Sequence, residues 1–576
     1  MLVPSPRRLL PAWIAQYPRK ELPADLLAGV IVTILVLPQS LAYALLAGLP
    51  PQAGLYASIV PVIVYALFGS SMVQAVGPVA ITAIMTYSVL APIAMPQSPE
   101  YIALAAALSL LSGLIILIAG LLKLGFLSQL LSRPVIAGFI SGSAVLIVFS
   151  QLKQIFGLVV AGNEPLPILA ALMLQVAHPD HPVTLVMGGS ALFLLLGGRY
   201  LLPELLKRAG MNADKRAFIT RLTPLLVIVL ATGAVHAFEL DGKHGIAVIG
   251  GVAAQLGDIK LHLPDAGSLR LLVIPALLVA LIGMVQNISM SQALAIKRRE
   301  RVDANRELLG LGSANIAAAF YGGMPVGGGV SRSAINVAAG AQTPLASIVS
   351  AVVMIAVVLG AAPWFARVPL AALAASIIVA AIGMIDLRSL RQAWAYDRAD
   401  ALAYLGTALG LLLLGLEAGI ALGILLSLAT LLLHASKPHI AVIGRIPDSE
   451  HFRNIERHAV ETIPGVLMLR IDESLFFGNL NAVEARLSQE LAKAGDIHDV
   501  VLIMSAINRV DTTAMEFLTD LNHDLRGRRI RLHLAEIKGP VQDRLLRSAL
   551  WKSLSGQVFL SVNSAFETLA SQAGRD

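Results

Sequence analysis

One arginine lies inside a long apolar stretch of this chain. Between Leu308 and Ala366 the only charged residue is Arg332, and a charge in such a stretch is costly unless it faces a cavity or a partner. The glycines and the proline of the preceding segment, residues 322–329, interrupt a helix, so that a new helix begins beside the arginine. The first N–H groups of a helix have no partner within the helix and carry a partial positive charge. An arginine next to such a helix start predicts a site that binds an anion.

A second interrupted segment begins at residues 74–78, Gln-Ala-Val-Gly-Pro. Along the chain, the two interruptions fall in the third and the tenth apolar segment, so each is third in its half of seven. Paired interruptions at matching positions are typical of inverted-repeat transporters, whose site lies near the middle of the membrane. The alternative is that glycine and proline are simply common in membrane helices. The position of Arg332 favours the transporter.

The elements that would position these residues are membrane helices. The 576 residues are 56% hydrophobic and 14% charged, whereas roughly a quarter of the residues of soluble domains are charged. Segment lengths of ~20 residues predict about fourteen spans between residues 26 and 436. Five basic loops separate some of them: Arg7–Lys20, Lys123–Arg133, Arg199–Arg221, Lys297–Arg306 and Arg388–Arg398. With all of these loops in the cytoplasm, an even number of spans places both termini there.

The composition also excludes several classes of function. The chain has no cysteine, which rules out disulfides, thiolate metal sites and cysteine nucleophiles. The few polar residues within the spans do not form an acid–base pair, so we do not expect an enzyme, and we predict no cofactor and no metal. The net charge of +7 lies in short loops, where the positive-inside rule accounts for it without nucleic acid as a partner.

Residues 437–576 follow a different pattern, in which predicted strands alternate with predicted helices. The strands are Val466–Ile471, Val500–Met504 and Ile530–Leu534, and the helices are Leu480–Ala494, Thr513–Arg526 and Val541–Leu550. Such alternation predicts a small α/β domain with a largely parallel sheet. The predicted organisation is therefore a cytoplasmic N-terminal segment (1–25), a helical membrane domain (26–436) and a cytoplasmic α/β domain (437–576).

The first two apolar segments carry a recognisable motif, made of Leu37–Ala44, Ala47–Pro50 and Pro51–Ser58. It resembles the sulfate permease signature of the SulP, or solute-carrier 26, anion transporters. The two interrupted segments resemble the third and tenth helices of that family. The C-terminal region resembles its STAS domain (sulfate transporter and anti-sigma-factor antagonist).

This resemblance implies a 7+7 inverted repeat of fourteen segments with core and gate subdomains, elevator-like alternating access and a homodimer in the inner (plasma) membrane. It implies a small inorganic or organic anion as substrate, of the sulfate, bicarbonate or dicarboxylate class. Carried over by position, the substrate site would consist of side chains on the first and eighth helices together with the two helix starts: Gln39, Tyr43, Pro78, Val79, Ala80, Gln286, Gly329, Val330, Ser331 and Arg332.

The chain departs from the pattern of the family at Gln286. Many bacterial members have a carboxylate there, which is associated with coupling to protons or sodium, whereas glutamine cannot titrate. No other Asp, Glu or His lies in the segment 282–295. We therefore expect anion exchange or passive anion transport without proton coupling at this position. A second departure is the run of three glycines at 327–329, which we expect to loosen the interruption and to alter selectivity.

The loop Asp511–Ala514 resembles the phosphorylated Asp-Ser-Ser-Gly loop of soluble anti-sigma antagonists. An ordinary helix N-cap at Asp511 is the favoured interpretation, and a regulatory phosphothreonine at Thr513 is the minority one. Three other functions stay open. They are a nucleobase permease, against which Arg332 argues, an anion channel on the same scaffold, and a membrane-tethered signalling module whose STAS domain binds a cytoplasmic protein.

Overall fold

The computed structural model describes residues 11–129, 132–158, 165–175, 181–250, 264–321 and 323–573. Two compact units divide the chain, Met1–Ser427 and Leu428–Asp576. The predicted domain boundary at 436/437 coincides with the end of a helix at Ser436, whereas the boundary between the compact units lies earlier, inside the same helix.

The first unit is helical. Its helices are α1 (Ala12–Ala15), α2 (Leu22–Leu46), α3 (Pro51–Tyr56), α4 (Val60–Phe68), α5 (Ala80–Leu90), α6 (Pro99–Leu121), α7 (Arg133–Phe156), α8 (Pro165–Gln175), α9 (Pro182–Tyr200), α10 (Leu202–Arg208), α11 (Ala213–Phe238), α12 (Leu240–His244), α13 (Ala266–Arg298), α14 (Ala304–Tyr321), α15 (Val330–Ala338), α16 (Leu345–Phe365), α17 (Leu370–Ile382), α18 (Leu387–Tyr396), α19 (Arg398–Leu414) and α20 (Leu416–Ser436). Two short strands, β1 (Val76–Gly77) and β2 (Gly327–Gly328), lie between helices.

Eight helical stretches in the described residues are long and apolar enough to cross a membrane, and three shorter apolar helices accompany them. One of the three is α5, which follows the first predicted interruption. The helix α15 after the second interruption is shorter still, at nine residues. Both interruptions therefore produce short helices, as the sequence predicts, while the total of fourteen segments stays a prediction.

Small residues allow the long helices to approach closely. A Cβ atom on Gly113 of α6 would lie 2.8 Å from the backbone nitrogen of Ile316 on α14, and one on Gly312 of α14 would lie 2.6 Å from that of Leu117 on α6. Close backbone contact through glycine is the usual basis of helix association in membranes, where burial of apolar surface provides little drive.

The second unit contains a six-stranded sheet in the order β4-β3-β5-β6-β7-β8. The strands are β3 (Ile440–Arg445), β4 (Phe452–Asn454), β5 (Val466–Ile471), β6 (Asp499–Ile503), β7 (Arg531–Ala535) and β8 (Val558–Phe559), and the helices after α20 are α21 (Leu480–Ala494), α22 (Thr512–Gly527), α23 (Gly539–Leu545), α24 (Ala549–Ser553) and α25 (Val562–Ala573). The strands from β5 to β8 pair in parallel, as predicted, and β3 and β4 are antiparallel.

The prediction of one helix over Val541–Leu550 is wrong, because the chain forms two helices there. The first ends at Leu545, and the second starts after Ser548, whose hydroxyl accepts a hydrogen bond from the N–H of Trp551. A serine in this role is an N-cap and marks a new helix start. The strands β3, β4 and β8 and the last helix α25 were not predicted at all.

Candidate anion-binding site

The two interrupted segments meet at a short antiparallel strand pair. Val76 pairs with Gly328, and Gly77 pairs with Gly327. Soon after this pair, α5 begins with Val79 as its N-cap and α15 begins with Gly329 as its N-cap. Neither cap residue provides a side-chain hydrogen bond to the helix that it precedes. The first N–H groups of both helices are therefore left for another partner.

Two positions of this strand pair, Gly77 and Gly328, have no room for a side chain. A Cβ atom on Gly328 would overlap the side chains of Gln74 and Asn287, and one on Gly77 would overlap the guanidinium of Arg332. At Gly328 the reason for glycine is therefore the lack of room for any side chain, while the expectation that the glycines 327–329 loosen the interruption stays a prediction.

Arg332 lies within the protein, with 6% of its surface exposed. Its Nη2 atom donates to the hydroxyls of Ser40 at 3.1 Å and Ser58 at 3.2 Å, and its Nη1 atom donates to the carbonyl of Val76 at 3.4 Å. All of these partners, drawn from the described residues, are neutral oxygens. They orient the guanidinium without cancelling its charge.

A cavity of about 1000 Å³ lies beside the strand pair. Eight of the ten predicted site residues line it: Gln39, Tyr43, Pro78, Val79, Ala80, Gln286, Gly329 and Arg332. The other two, Val330 and Ser331, form the first turn of α15, and their side chains lie outside the described residues.

The profile of the sulfate permease family matches residues 22–407, and the profile of the STAS domain matches residues 457–565. The first match covers more than half of the chain. The chain belongs to the sulfate permease family. This finding confirms the resemblance drawn from the motifs, and with it a multi-pass helical membrane fold followed by a STAS domain.

Several relatives are similar to this family member over nearly the whole of this chain. A probable sulfate transporter of Mycobacterium tuberculosis is 34% identical over 96% of this chain and 96% of its own. The chloroplastic sulfate transporter 4.1 of Arabidopsis thaliana is 33% identical over 93% of this chain and 78% of its own. Among solved structures, the murine Solute Carrier 26 family member A9 anion transporter in the inward-facing state superposes with a TM-score of 0.86 at 23% identity, covering 98% and 94% of the two chains.

The transmembrane domain of the cyanobacterial bicarbonate transporter BicA also superposes on this family member. The TM-score is 0.59 at 25% identity, covering 72% of this chain and 97% of that one.

Gln286 lies on α13 and lines two cavities, the large one and a neighbouring space of about 30 Å³. Its Oε1 atom is buried and has no hydrogen-bond partner among the described residues. A buried amide oxygen without a partner is uncommon in proteins. The same amide carries an N–H₂ group, which is a hydrogen-bond donor.

The cavity carries charged groups that were not predicted as site residues. Arg133 is the first residue of α7 and Arg199 lies in the last turn of α9, and both line the cavity. Arg199 donates to the carbonyl of Val379 at 2.6 Å. Asp386 also lines the cavity, and its carboxylate caps α18 by accepting from the N–H and the hydroxyl of Ser389. In the sequence, the two arginines were assigned to cytoplasmic loops.

Glu307 is a buried charge that sequence reasoning missed. Its carboxylate is fully buried and accepts from the hydroxyl of Tyr65 at 2.6 Å, the N–H of Ser71 at 2.9 Å and the amide of Asn287 at 3.1 Å. Asn287 in turn accepts from the side chain of Gln74 at 2.6 Å, just before β1. This network supports the strand pair from the side of α13 and α14. An acid in the first turn of a helix is ordinary, so nothing in the sequence marks this one.

In the STAS domain, Asp511 is the N-cap of α22. Its Oδ1 atom accepts from the N–H of Ala514 at 2.8 Å, and its Oδ2 atom accepts from the N–H of Phe477 at 3.0 Å. The favoured interpretation of this loop as a helix cap is confirmed. Thr513 is exposed, and its phosphorylation stays a prediction.

Proposed function

We propose that this chain is a secondary transporter that moves a small anion of the sulfate, bicarbonate or dicarboxylate class across the membrane. One observation carries the proposal. Two helix starts without side-chain caps and the guanidinium of Arg332 line a single cavity. Such donors replace the hydration shell of an anion. Sulfate is the first candidate, because relatives that match nearly the whole chain bear the name of sulfate transporters.

The charge of the site favours an anion. Each helix start contributes roughly half a positive charge, and Arg332 adds a full charge whose described partners are neutral. Gln39 and Tyr43 are four residues apart on α2, share one face of the helix and line the same cavity. Their amide and hydroxyl provide further donors at the wall of the site.

We propose that transport is not coupled to protons through α13. Gln286 cannot titrate, and the carboxylate that lines the cavity, Asp386, is engaged as a helix cap. Another carboxylate, Glu307, lies in the network behind the strand pair and is not one of the lining residues of the cavity. Exchange of anions, or passive transport of one anion, needs no titrating group.

We further propose alternating access by an elevator-like movement of the core, in a homodimer of the inner membrane with both termini in the cytoplasm. Arg133 and Arg199 support a cavity that opens to the cytoplasm, because they line it and belong to loops that the positive-inside rule places there. The STAS domain would then be cytoplasmic, where it can bind a protein partner.

Uptake by the purified full-length protein in liposomes tests this function. We expect saturable uptake of radiolabelled sulfate, bicarbonate or succinate, stimulated by a second anion inside the liposome and unaffected by an imposed proton gradient. An anion channel on the same scaffold is the alternative to test, because position 286 carries a glutamine and not an acid. A channel would give a current that rises linearly with driving force. No uptake of any of the three anions above protein-free liposomes would contradict the proposal.

A further inference from the structure

The helical unit contains a second large cavity, of about 810 Å³, which shares no lining residue with the candidate anion site. One wall is the side of α2 that carries Leu37, Pro38 and Leu41. The opposite wall is α11, from Leu225 to His236. Apart from one polar end, the lining side chains are almost entirely apolar. A cavity of this kind suits a hydrocarbon chain and not an anion.

The length of the cavity matches one leaflet of a bilayer. Leu225 and His236 both line it, and eleven residues of α helix span about 16 Å. The hydrocarbon of one leaflet is about 15 Å thick, half of a bilayer core of about 30 Å. Between these two residues Val229, which lines the cavity, is 58% exposed, so the cavity is open to the outside of the helical unit along α11.

Arg367 and His236 line the polar end of the cavity, and Asp241, which is not itself a lining residue, contacts Arg367. The Nη1 atom of Arg367 lies 2.8 Å from the Nδ1 atom of His236, and the imidazole must accept because a guanidinium can only donate. The Nε atom of Arg367 lies 3.5 Å from a carboxylate oxygen of Asp241. A cation and an anion side by side at the mouth of an apolar groove complement a zwitterionic headgroup.

We propose that this cavity binds one glycerophospholipid with a zwitterionic headgroup. An acyl chain lies between α2 and α11, the phosphate contacts Arg367, and the ammonium of the headgroup points toward Asp241. The site is independent of the transport proposal, since its detection requires no transport. It lies on the flank of the helix that carries Gln39 and Tyr43, so the lipid contacts the same helix as the transported anion.

A variant at Gly233 tests the proposal. Gly233 lines the cavity, and no described atom lies within 4 Å of the position that its Cβ would take, so a leucine side chain there enters open space. Gly189 on α9 is equally open and does not line the cavity. We expect Gly233→Leu to lower the affinity for added palmitoyl-oleoyl-phosphatidylethanolamine about tenfold in native mass spectrometry of the full-length protein, which is about 1.4 kcal/mol, whereas Gly189→Leu leaves it unchanged.

A second variant and a competing anion test the contact between Arg367 and the lipid headgroup. Arg367→Gln should also weaken retention of phosphatidylethanolamine, while millimolar inorganic phosphate should not displace the lipid from the wild type, because the acyl chain contributes most of the contact. Equal retention by wild type and Gly233→Leu would overturn the proposal. Full displacement by inorganic phosphate would also overturn it, since the site would then belong to a free anion.

Discussion

Arg332 and Glu307 are two buried charges of the helical unit whose surroundings differ. Glu307 accepts hydrogen bonds from a tyrosine, an asparagine and backbone N–H groups, and it is fully buried. Arg332 has two hydroxyls and a carbonyl as described partners, and it borders a cavity. A buried charge whose partners are complete holds a structure together, whereas a charge with neutral partners beside a cavity is available to a ligand.

The two charges act on the same short strand. Glu307 reaches it through Asn287 and Gln74, and Arg332 lies against Gly77. Glu307 holds the strand pair in place, and Arg332 adds positive charge to the cavity beside the pair. We therefore expect variants of the two residues to differ in kind, with the Glu307 variant losing stability and the Arg332 variant losing transport.

The largest effect should come from Glu307→Ala. Removal of the carboxylate leaves buried donors on Tyr65, Ser71 and Asn287 without a partner, and because each donor left unpaired costs about 1–3 kcal/mol, we expect a total loss of about 4 kcal/mol. Thermal unfolding in detergent would measure the loss. Glu100→Ala is the matched control, because Glu100 is an exposed acid in the first turn of α6. Equal melting temperatures for the two variants would show that the Glu307 network does not stabilise the fold.

The next largest effect should come from Arg332→Gln, and it should appear in transport. We expect anion uptake into liposomes to fall about 100-fold, equivalent to about 2.7 kcal/mol, with a melting temperature equal to or above that of the wild type. Stability should not fall, because the variant removes a buried charge whose partners among the described residues are all neutral. Arg391→Gln, at an exposed position of α18, is the control. Uptake by Arg332→Gln at the wild-type rate would show that Arg332 does not contribute to anion binding.

A third buried charge, Asp499 of the STAS domain, extends the comparison to a carboxylate with charged partners. Burial acts to raise its pKa, but hydrogen bonds from His533, Arg531 and His498 outweigh it and hold the pKa of Asp499 below its usual value. The stabilisation is therefore present above the unfolded pKa of about 3.9 and is lost as the pH falls through the lower folded value.

We therefore expect Asp499→Asn to destabilise the STAS domain by about 1.5 kcal/mol at pH 7, with a difference from the wild type that shrinks below about pH 4. Thermal unfolding between pH 3 and pH 7 would measure it. The control is Asp524→Asn, which removes an exposed pair with Arg528 and should cost less than about 0.5 kcal/mol. A constant difference across the pH range would contradict a lowered pKa.

Of these two buried charges, Arg332 could be predicted from the sequence and Glu307 could not. Arg332 was predicted because its neighbours along the chain are apolar, so one local pattern marks it. Glu307 was missed because it stands at the edge of a basic loop, where an acid is ordinary, and its partners Tyr65 and Asn287 come from distant segments. Ser58, which binds Arg332, was missed for the same reason. Site residues that differ from their local surroundings can be found from sequence, and those defined by distant contacts cannot.

The secondary structure likewise could be predicted where a local pattern marks it and was missed where it depends on distant contacts. The central strands β5, β6 and β7 and the helices α21 and α22 were predicted within one residue of their observed bounds. The strands β3 and β4 were missed because they lie at one edge of the sheet and pair antiparallel, outside the alternation of strands and helices on which the prediction rested.

A smaller effect in transport should follow from Gly77→Ala, which keeps the charge of Arg332 but moves it. The new methyl group would overlap the guanidinium, so the side chain must shift away from β1. We expect uptake to fall about tenfold, or about 1.4 kcal/mol. Gly197→Ala on α9, where no described atom lies within 4 Å of the added Cβ, is the control. If Gly77→Ala transports normally, the position of the charge does not matter, and the hydroxyl partners of Arg332 have no role in transport.

The smallest effect should come from Gln286→Glu, which places an acid in the wall of the cavity that Arg332 also lines. When ionised, the new carboxylate repels the anion, and when protonated it does not, so uptake by the variant should rise as the pH falls, by about threefold, or about 0.6 kcal/mol. The wild type should be flat over the same range, because glutamine cannot titrate. Gln292→Glu makes the same change on the same helix at an exposed position of the cavity wall and should show a weaker slope. A flat profile for Gln286→Glu would mean that this position does not sense the transported anion, and the explanation of the missing carboxylate would have to be sought elsewhere in the cavity.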